Sequence, residues 1–148
     1  MTAADGAVEL RVDGTAEPAW LDDVHGALAR LWSAAPDVPE LDRLRFETAV
    51  IEIATNIVRH TVPGAATPCS TTPAVVRATA VLRAVPGLVE AVLSDDGAEV
   101  EVDLDPAPVD DLAESGRGIA LVQRAVDTLE LRRVDDRNTW RLTRVLPG

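Results

Sequence analysis

The sequence lacks several residue types that common enzyme classes depend on. Its 148 residues include no lysine, no tyrosine, one cysteine (Cys69) and two histidines (His25 and His60). Without lysine there is no Walker A phosphate loop, no Schiff-base lysine and no strand lysine of eukaryotic-type protein kinases. One cysteine and two histidines also exclude a disulfide framework and a Cys/His zinc site.

Basic residues are scarce relative to acids. The chain has 25 acidic residues against 14 arginines, a net charge of −11, and we expect neither nucleic acid nor an anionic membrane as a partner. No apolar run approaches the roughly 20 residues of a membrane helix and no signal peptide is recognisable, so we expect a cytoplasmic protein. The length suits one domain, and we interpret residues 1–148 as a single domain.

Hydrophobic periodicity predicts three helices and five strands. The alternation from Val8 to Val12 predicts a strand that ends in a turn at Asp13-Gly14. Helical spacing predicts helices over 18–35, 40–62 and 117–128. Further strands are predicted over 74–84, 87–95, 129–134 and 139–145, with irregular segments at 64–73 and 96–115. This order predicts an α+β fold, a two-layer sandwich with a mixed, mainly antiparallel sheet.

The helix predicted from residue 40 has one apolar side and one polar side. Glu52 and Asn56 lie one turn apart on the polar side. This stripe is either a solvated surface or an acid and an amide that hold magnesium through oxygen and activate a nearby hydroxyl. The apolar side is predicted to face the core, and it comprises Phe46, Val50, Ile53, Ala54 and Ile57.

A carboxylate ends the strand predicted over 87–95. Alternation places Asp95 on the same face as the apolar Val89, Ala91 and Leu93. A carboxylate in such a row needs a hydrogen-bond donor, and the amino group of adenine would serve, with Gly97 allowing a flat ligand to approach the backbone. The alternative is that Asp-Asp-Gly is only a turn.

The third feature is a glycine-rich junction before an apolar helix. In the segment Glu114 to Val122, Gly116 and Gly118 flank Arg117. Unpaired backbone N–H groups at such a junction bind phosphate oxygens, and Arg117 could add a charge-assisted contact. The alternative is ordinary helix capping.

In this order the three features resemble the N, G1 and G2 boxes of the histidine kinase-like (GHKL) ATPase superfamily. They are most similar to those of small bacterial anti-sigma factors that are serine/threonine kinases. The resemblance covers about residues 8–146, with the N box at about 48–60, the G1 box at about 93–97, a lid at about 97–115 and the G2 box at about 114–122. It implies a Bergerat-type ATP-binding fold.

The resemblance also implies a role for each residue of these boxes. Asn56 binds the magnesium that bridges the phosphates of ATP, Glu52 is the general base, and Asp95 accepts a hydrogen bond from the adenine amino group. The further nucleotide-binding residues that it implies are Gly97 in the base pocket, Gly116, Arg117 and Gly118 at the phosphates, and Thr139 near the adenine.

The implied reaction transfers the γ-phosphate of ATP to a serine or threonine of a protein partner. That partner is usually a small anti-anti-sigma protein with a STAS domain. Members of the family also bind a sigma factor and keep it from RNA polymerase, commonly as homodimers.

The sequence departs from the family pattern at the G1 box and the lid. Glu99 stands where a second glycine often follows, and the stretch from Glu90 to Glu114 contains ten acids and no arginine. Two other hypotheses therefore stay open. One is a binding module that sequesters a protein partner without phosphotransfer, and the other is a nucleotide-hydrolysing enzyme unrelated to transcription.

Overall fold

The computed structural model describes residues 6–61, 75–102, 104 and 114–147, and for residues 114–117 it describes the backbone alone. Five strands and three helices lie in this part of the chain. In chain order they are β1 (Val8–Thr15), α1 (Pro18–Ala34), α2 (Glu40–His60), β2 (Arg77–Val85), β3 (Leu88–Asp95), α3 (Glu114–Ala125), β4 (Thr128–Val134) and β5 (Arg137–Val145).

The strands form one sheet in the order β1-β2-β3-β5-β4. All four pairings are antiparallel. The described sheet is therefore antiparallel throughout, whereas the sequence predicted a mixed, mainly antiparallel sheet. The predicted β2–β3 hairpin turns at Pro86-Gly87, where Gly87 has a φ of 85°. The β4–β5 hairpin turns at Asp135-Asp136, with φ values of 50° and 60°, as the two-residue turns that suit twisted strands require.

The first strand is longer than the sequence pattern predicts. We expected a turn at Asp13-Gly14, but both residues pair with β2 and the strand continues to Thr15. A Cβ at Gly14 would lie 3.1 Å from Trp20 Cδ1, and the Trp20 indole donates a hydrogen bond to the Val12 carbonyl at 3.2 Å. Gly14 therefore marks the close approach of α1 to the strand and not a turn.

Helices cover one face of the sheet, which confirms the predicted α+β two-layer sandwich. Alternate residues of every central strand are buried beneath the helices, among them Ala80, Leu82, Ala91 and Leu93. The predicted core side of α2 is buried at all five positions, Phe46, Val50, Ile53, Ala54 and Ile57. None of the described helices is long and apolar enough to span a membrane.

The third helix begins three residues earlier than predicted. It starts at Glu114, so Gly116 and Gly118 lie inside its first turns and not ahead of it. In an α-helix the N–H groups of the residue before the helix and of its first three residues lack an internal partner. A start at Glu114 therefore leaves the N–H of Gly116 free and engages those of Arg117 and Gly118. The predicted irregular segment 64–73 and most of the predicted lid lie outside the described residues.

Candidate functional site

A pocket of about 170 Å³ opens between α2, α3 and the buried face of the sheet. Its walls are mainly apolar, and its polar groups come from α2, from the end of β3 and from the residue after α2. The lining residues are Asn56, Ile57, His60, Thr61, Asp95, Val100, Val102, Ile119 and Trp140. A largely apolar pocket with a few convergent polar groups is typical of a ligand site.

Asp95 is the fully buried acid of this pocket. Its Oδ1 accepts hydrogen bonds from the Gly97 N–H and from Asn138 Nδ2, each at 2.9 Å. Its Oδ2 is also buried, and no partner for it exists among the described residues. Burial raises the pKa of Asp95, and the bonds from Asn138 and Gly97 oppose that rise. A ligand that donates a hydrogen bond to Oδ2 would complete the site.

Helix α2 brings its two polar residues to different parts of the site. Asn56 lines the pocket, whereas Glu52, one turn earlier, contacts the start of α3. A Cβ added to Gly118 would overlap Glu52 Oε1 and lie 3.1 Å from Glu52 Cδ. The fold therefore places the acid predicted as a general base directly against the second glycine of the predicted G2 box.

The contact between Gly118 and Glu52 brings the start of α3, with its free N–H groups, close to Glu52. Ser115 and Gly116 supply two of these groups. The side chain of Arg117 lies outside the described residues, so its predicted phosphate contact stays a prediction. The N-terminal end of a helix attracts phosphate oxygens, and the Glu52 carboxylate beside it would repel them unless a cation offsets its charge.

The predicted position of Thr139 near the base needs correction. In the β3–β5 register Asp95 lies opposite Asn138, and Ser94 lies opposite Thr139. Directly paired residues share a face, so Thr139 points to the face away from the pocket. Asn138 and Trp140 take the inner positions, and both are buried. Sequence alternation from Trp140 and Leu142 back to Asn138 was the signal that could have identified them.

The residues present fit an adenine nucleotide with a magnesium ion. The buried acceptor at Asp95 Oδ2 matches a base amino group, and the apolar walls match a flat ring. No cluster of three or more His, Cys, Asp or Glu occurs in the described ranges, but magnesium bound through phosphates needs only one or two protein oxygens. The amide oxygen of Asn56 could supply one of these oxygens.

Residues 14–144 match a known protein family, the histidine kinase-like ATPase domain. The chain belongs to this family. The match spans most of the sequence and includes all three predicted boxes, so the resemblance inferred from Glu52, Asn56, Asp95 and the glycines is confirmed at the level of the family. No curated protein has a significantly similar sequence.

A solved structure is similar to this histidine kinase-like ATPase domain in fold. It is the crystal structure of the RsbU and RsbW domains of Rv1364c from Mycobacterium tuberculosis, with 21% sequence identity and a TM-score of 0.56. The similarity covers 95% of this chain and 33% of that one. The chain therefore spans about one third of the length of that structure, and at this identity the similarity establishes the fold.

Proposed function

We propose that this histidine kinase-like domain is an ATP-dependent serine/threonine protein kinase that acts as an anti-sigma factor. Its phosphoacceptor would be a STAS-type anti-anti-sigma protein, and it would sequester a sigma factor. The observation that carries the proposal is the buried, unpartnered Oδ2 of Asp95 at the end of an apolar pocket. The family supports ATP binding, and the resemblance of the three boxes supports the partners.

The proposed transfer assigns a separate task to each polar residue. Asp95 accepts the hydrogen bond of the base amino group, and the Asn56 amide oxygen would hold a magnesium ion, whose charge would offset that of the phosphates. Glu52 accepts the proton of the partner's hydroxyl while the hydroxyl oxygen forms a bond to the γ-phosphorus. The bond from that phosphorus to the bridging oxygen breaks, and ADP leaves. The free N–H groups at the start of α3 stabilise phosphate oxygens.

Calorimetric titration with ATP, with and without Mg²⁺, tests the nucleotide site. We expect magnesium-dependent binding that Asp95→Asn abolishes, because the substitution replaces the free acceptor with an amide whose orientation is set by the donors to Oδ1. Ser94→Ala is the matched control, since Ser94 precedes Asp95 and points to the opposite face of the sheet. Equal ATP affinity of Asp95→Asn and wild type would contradict the assignment of the base pocket.

Transfer of labelled phosphate to purified STAS-domain proteins of the same organism tests the kinase activity. We expect Glu52→Gln to lower the transfer rate by about 10²–10⁴-fold, the usual contribution of a general base, and to leave ATP affinity nearly unchanged. Transfer by Glu52→Gln at the wild-type rate would show that Glu52 is not the base.

A binding module without phosphotransfer is the second candidate function. Two observations favour it: Glu99 and Glu101 border the pocket wall formed by Val100 and Val102, and the N–H of Gly118 is engaged within α3. Both features weaken the attraction for a triphosphate. Equal affinity for a sigma factor with and without ATP, together with no transfer to any STAS protein, would favour this candidate. A single domain, a homodimer and a cytoplasmic location stay predictions under either function.

A further inference from the structure

One buried side chain connects Asp95 to the segment that follows it. Asn138 on β5 lies directly opposite Asp95 and is 1% exposed. Its Nδ2 donates hydrogen bonds to Asp95 Oδ1 at 2.9 Å and to the Ala98 carbonyl at 2.8 Å. Its Oδ1 accepts a hydrogen bond from the Val100 N–H at 3.0 Å. Three hydrogen bonds thus hold the carboxylate and the pocket wall to one strand.

A second side chain of the same hairpin holds the turn itself. Arg133 lies on β4 and pairs across the hairpin with Asn138. Its guanidinium Nη1 donates a hydrogen bond to the Gly97 carbonyl at 2.8 Å. The positive charge of Arg133 also lowers the pKa of Asp95, against the larger effect of burial. Arg133 therefore favours the ionised carboxylate and anchors the peptide that donates to it.

These contacts decide which carboxylate oxygen faces a ligand. Oδ1 accepts from both the Gly97 N–H and Asn138 Nδ2, so Oδ2 is the oxygen left for a ligand donor. Val100, held by Asn138, lines the same pocket. Without Asn138 and Arg133 the Asp95 side chain could rotate about χ2, a broad torsion, and the pocket wall would lose its anchor.

We propose that Asn138 and Arg133 are positioning residues for base recognition, through which the β4–β5 hairpin holds Asp95 with one oxygen free for the amino group of the base. This inference rests on the proposed function, because it concerns how the nucleotide is recognised. It assigns a task to two residues outside the predicted boxes. Neither residue reacts or contacts the phosphates, and each acts through Asp95 and the turn that follows it.

The test compares two nucleotides that differ only in the amino group. ATP and the triphosphate of purine riboside, which lacks the 6-amino group, are titrated by calorimetry at the same Mg²⁺ concentration. For wild type we expect ATP to bind about tenfold or more tightly, as a hydrogen bond to a charged acceptor typically contributes. For Asn138→Ala we expect this preference to fall to about twofold or less, whereas a purely structural loss would weaken both nucleotides equally.

Arg133 provides a second variant on an exposed edge strand, where loss of the fold is not expected. Arg133→Gln should reduce the ATP preference by about threefold, and Arg133→Lys, which keeps a charged donor, should restore most of it. Arg132→Gln is the matched control, because it removes the same charge one residue away, from a side chain that pairs with Glu130 on the other face. We expect Arg132→Gln to keep the wild-type preference.

The outcomes separate this inference from the proposed function. If wild type binds neither nucleotide or binds both equally, the proposed function fails and the inference fails with it. If wild type prefers ATP and both Asn138→Ala and Arg133→Gln keep that preference, the nucleotide site stands and the positioning role is wrong. If circular dichroism shows that Asn138→Ala does not fold, the Arg133 pair decides the question.

Discussion

At the scale of single residues, the burial of Asp95 has opposite effects on the stability of the fold and on ligand recognition. The carboxylate is fully buried and one of its oxygens has no partner in the described structure. A buried charged group without a partner lowers the stability of the folded state, and a ligand that donates a hydrogen bond to it explains its presence. Replacing Asp95 should therefore stabilise the ligand-free protein and weaken nucleotide binding at the proposed site.

Asp95→Asn tests this trade-off through its dependence on pH. Burial raises the pKa of Asp95, so the ionised side chain destabilises the folded state above that pKa. Asparagine does not titrate, and its Oδ1 can accept the same two hydrogen bonds. We expect the variant to gain in unfolding free energy relative to wild type at pH 7, with the gain shrinking as acidification protonates Asp95.

Urea denaturation of both proteins across acidic and neutral pH measures this difference. Asp96→Asn is the control, because Asp96 is exposed and its Oδ1 accepts a hydrogen bond from the Arg77 N–H. A gap between Asp95→Asn and wild type that does not change with pH would contradict the assignment of the buried charge to Asp95.

Gly118 packs against Glu52, the proposed general base, so a side chain at this position should affect both. A glycine-to-alanine change in a helix normally gains about 0.5–1 kcal/mol. We expect Gly26→Ala, at an exposed position of α1 where a Cβ meets nothing within 4 Å, to show this gain. Gly118→Ala should not, because its Cβ must displace the Glu52 carboxylate. Equal gains in urea denaturation would mean that Glu52 moves aside without cost.

At the scale of elements, one ion pair ties three parts of the fold together. Arg144 on β5 donates from Nε to Asp42 Oδ1 on α2 at 2.6 Å and from Nη1 to the Ala125 carbonyl at the end of α3 at 2.8 Å. The two charged side chains are only 14% and 10% exposed. Both helices that carry the site are thus attached to the strand that carries Asn138.

Breaking this ion pair should be far more costly than breaking an exposed one. We expect Arg144→Met to lower the unfolding free energy by about 3 kcal/mol, since it leaves Asp42 buried and uncompensated. Arg141→Met is the matched control on the same strand, where the arginine of the pair with Glu90 is 56% exposed, and it should cost less than about 1 kcal/mol. Chemical denaturation measures both, and similar losses would contradict the buried role of Arg144.

At the scale of the whole molecule, the net charge of −11 opposes any polyanionic ligand. Repulsion of this long-range kind is screened by salt, because the Debye length falls to about 8 Å at physiological ionic strength. The net negative charge should also slow the encounter with ATP and speed the encounter with a basic protein surface.

Salt dependence of ATP affinity tests this global effect. At fixed free Mg²⁺ we expect ATP to bind about twofold more tightly when monovalent salt is raised from low to physiological concentration, because screening weakens the repulsion. Calorimetry at several salt concentrations measures the trend. Weaker binding at higher salt would instead mean that nearby arginines such as Arg133 dominate the field at the pocket.

The sequence by itself determined the elements and the family. Periodicity and turn residues are local properties, so the helix predicted over 40–62, the β2–β3 hairpin and the buried side of α2 followed from short stretches of sequence alone. The order of Glu52, Asn56, Asp95 and the glycines was enough to identify a histidine kinase-like ATPase domain, because each box is a short continuous segment.

Only the tertiary structure decided which residues meet. A shift of one residue in strand register reverses every side chain, and the register of β5 brings Asn138, in place of Thr139, to Asp95. Gly14 lies within β1, where Trp20 of α1 packs against it. Gly118 contacts Glu52, which lies 66 positions earlier in the chain. Contacts between distant segments depend on packing, which no local pattern of residues records.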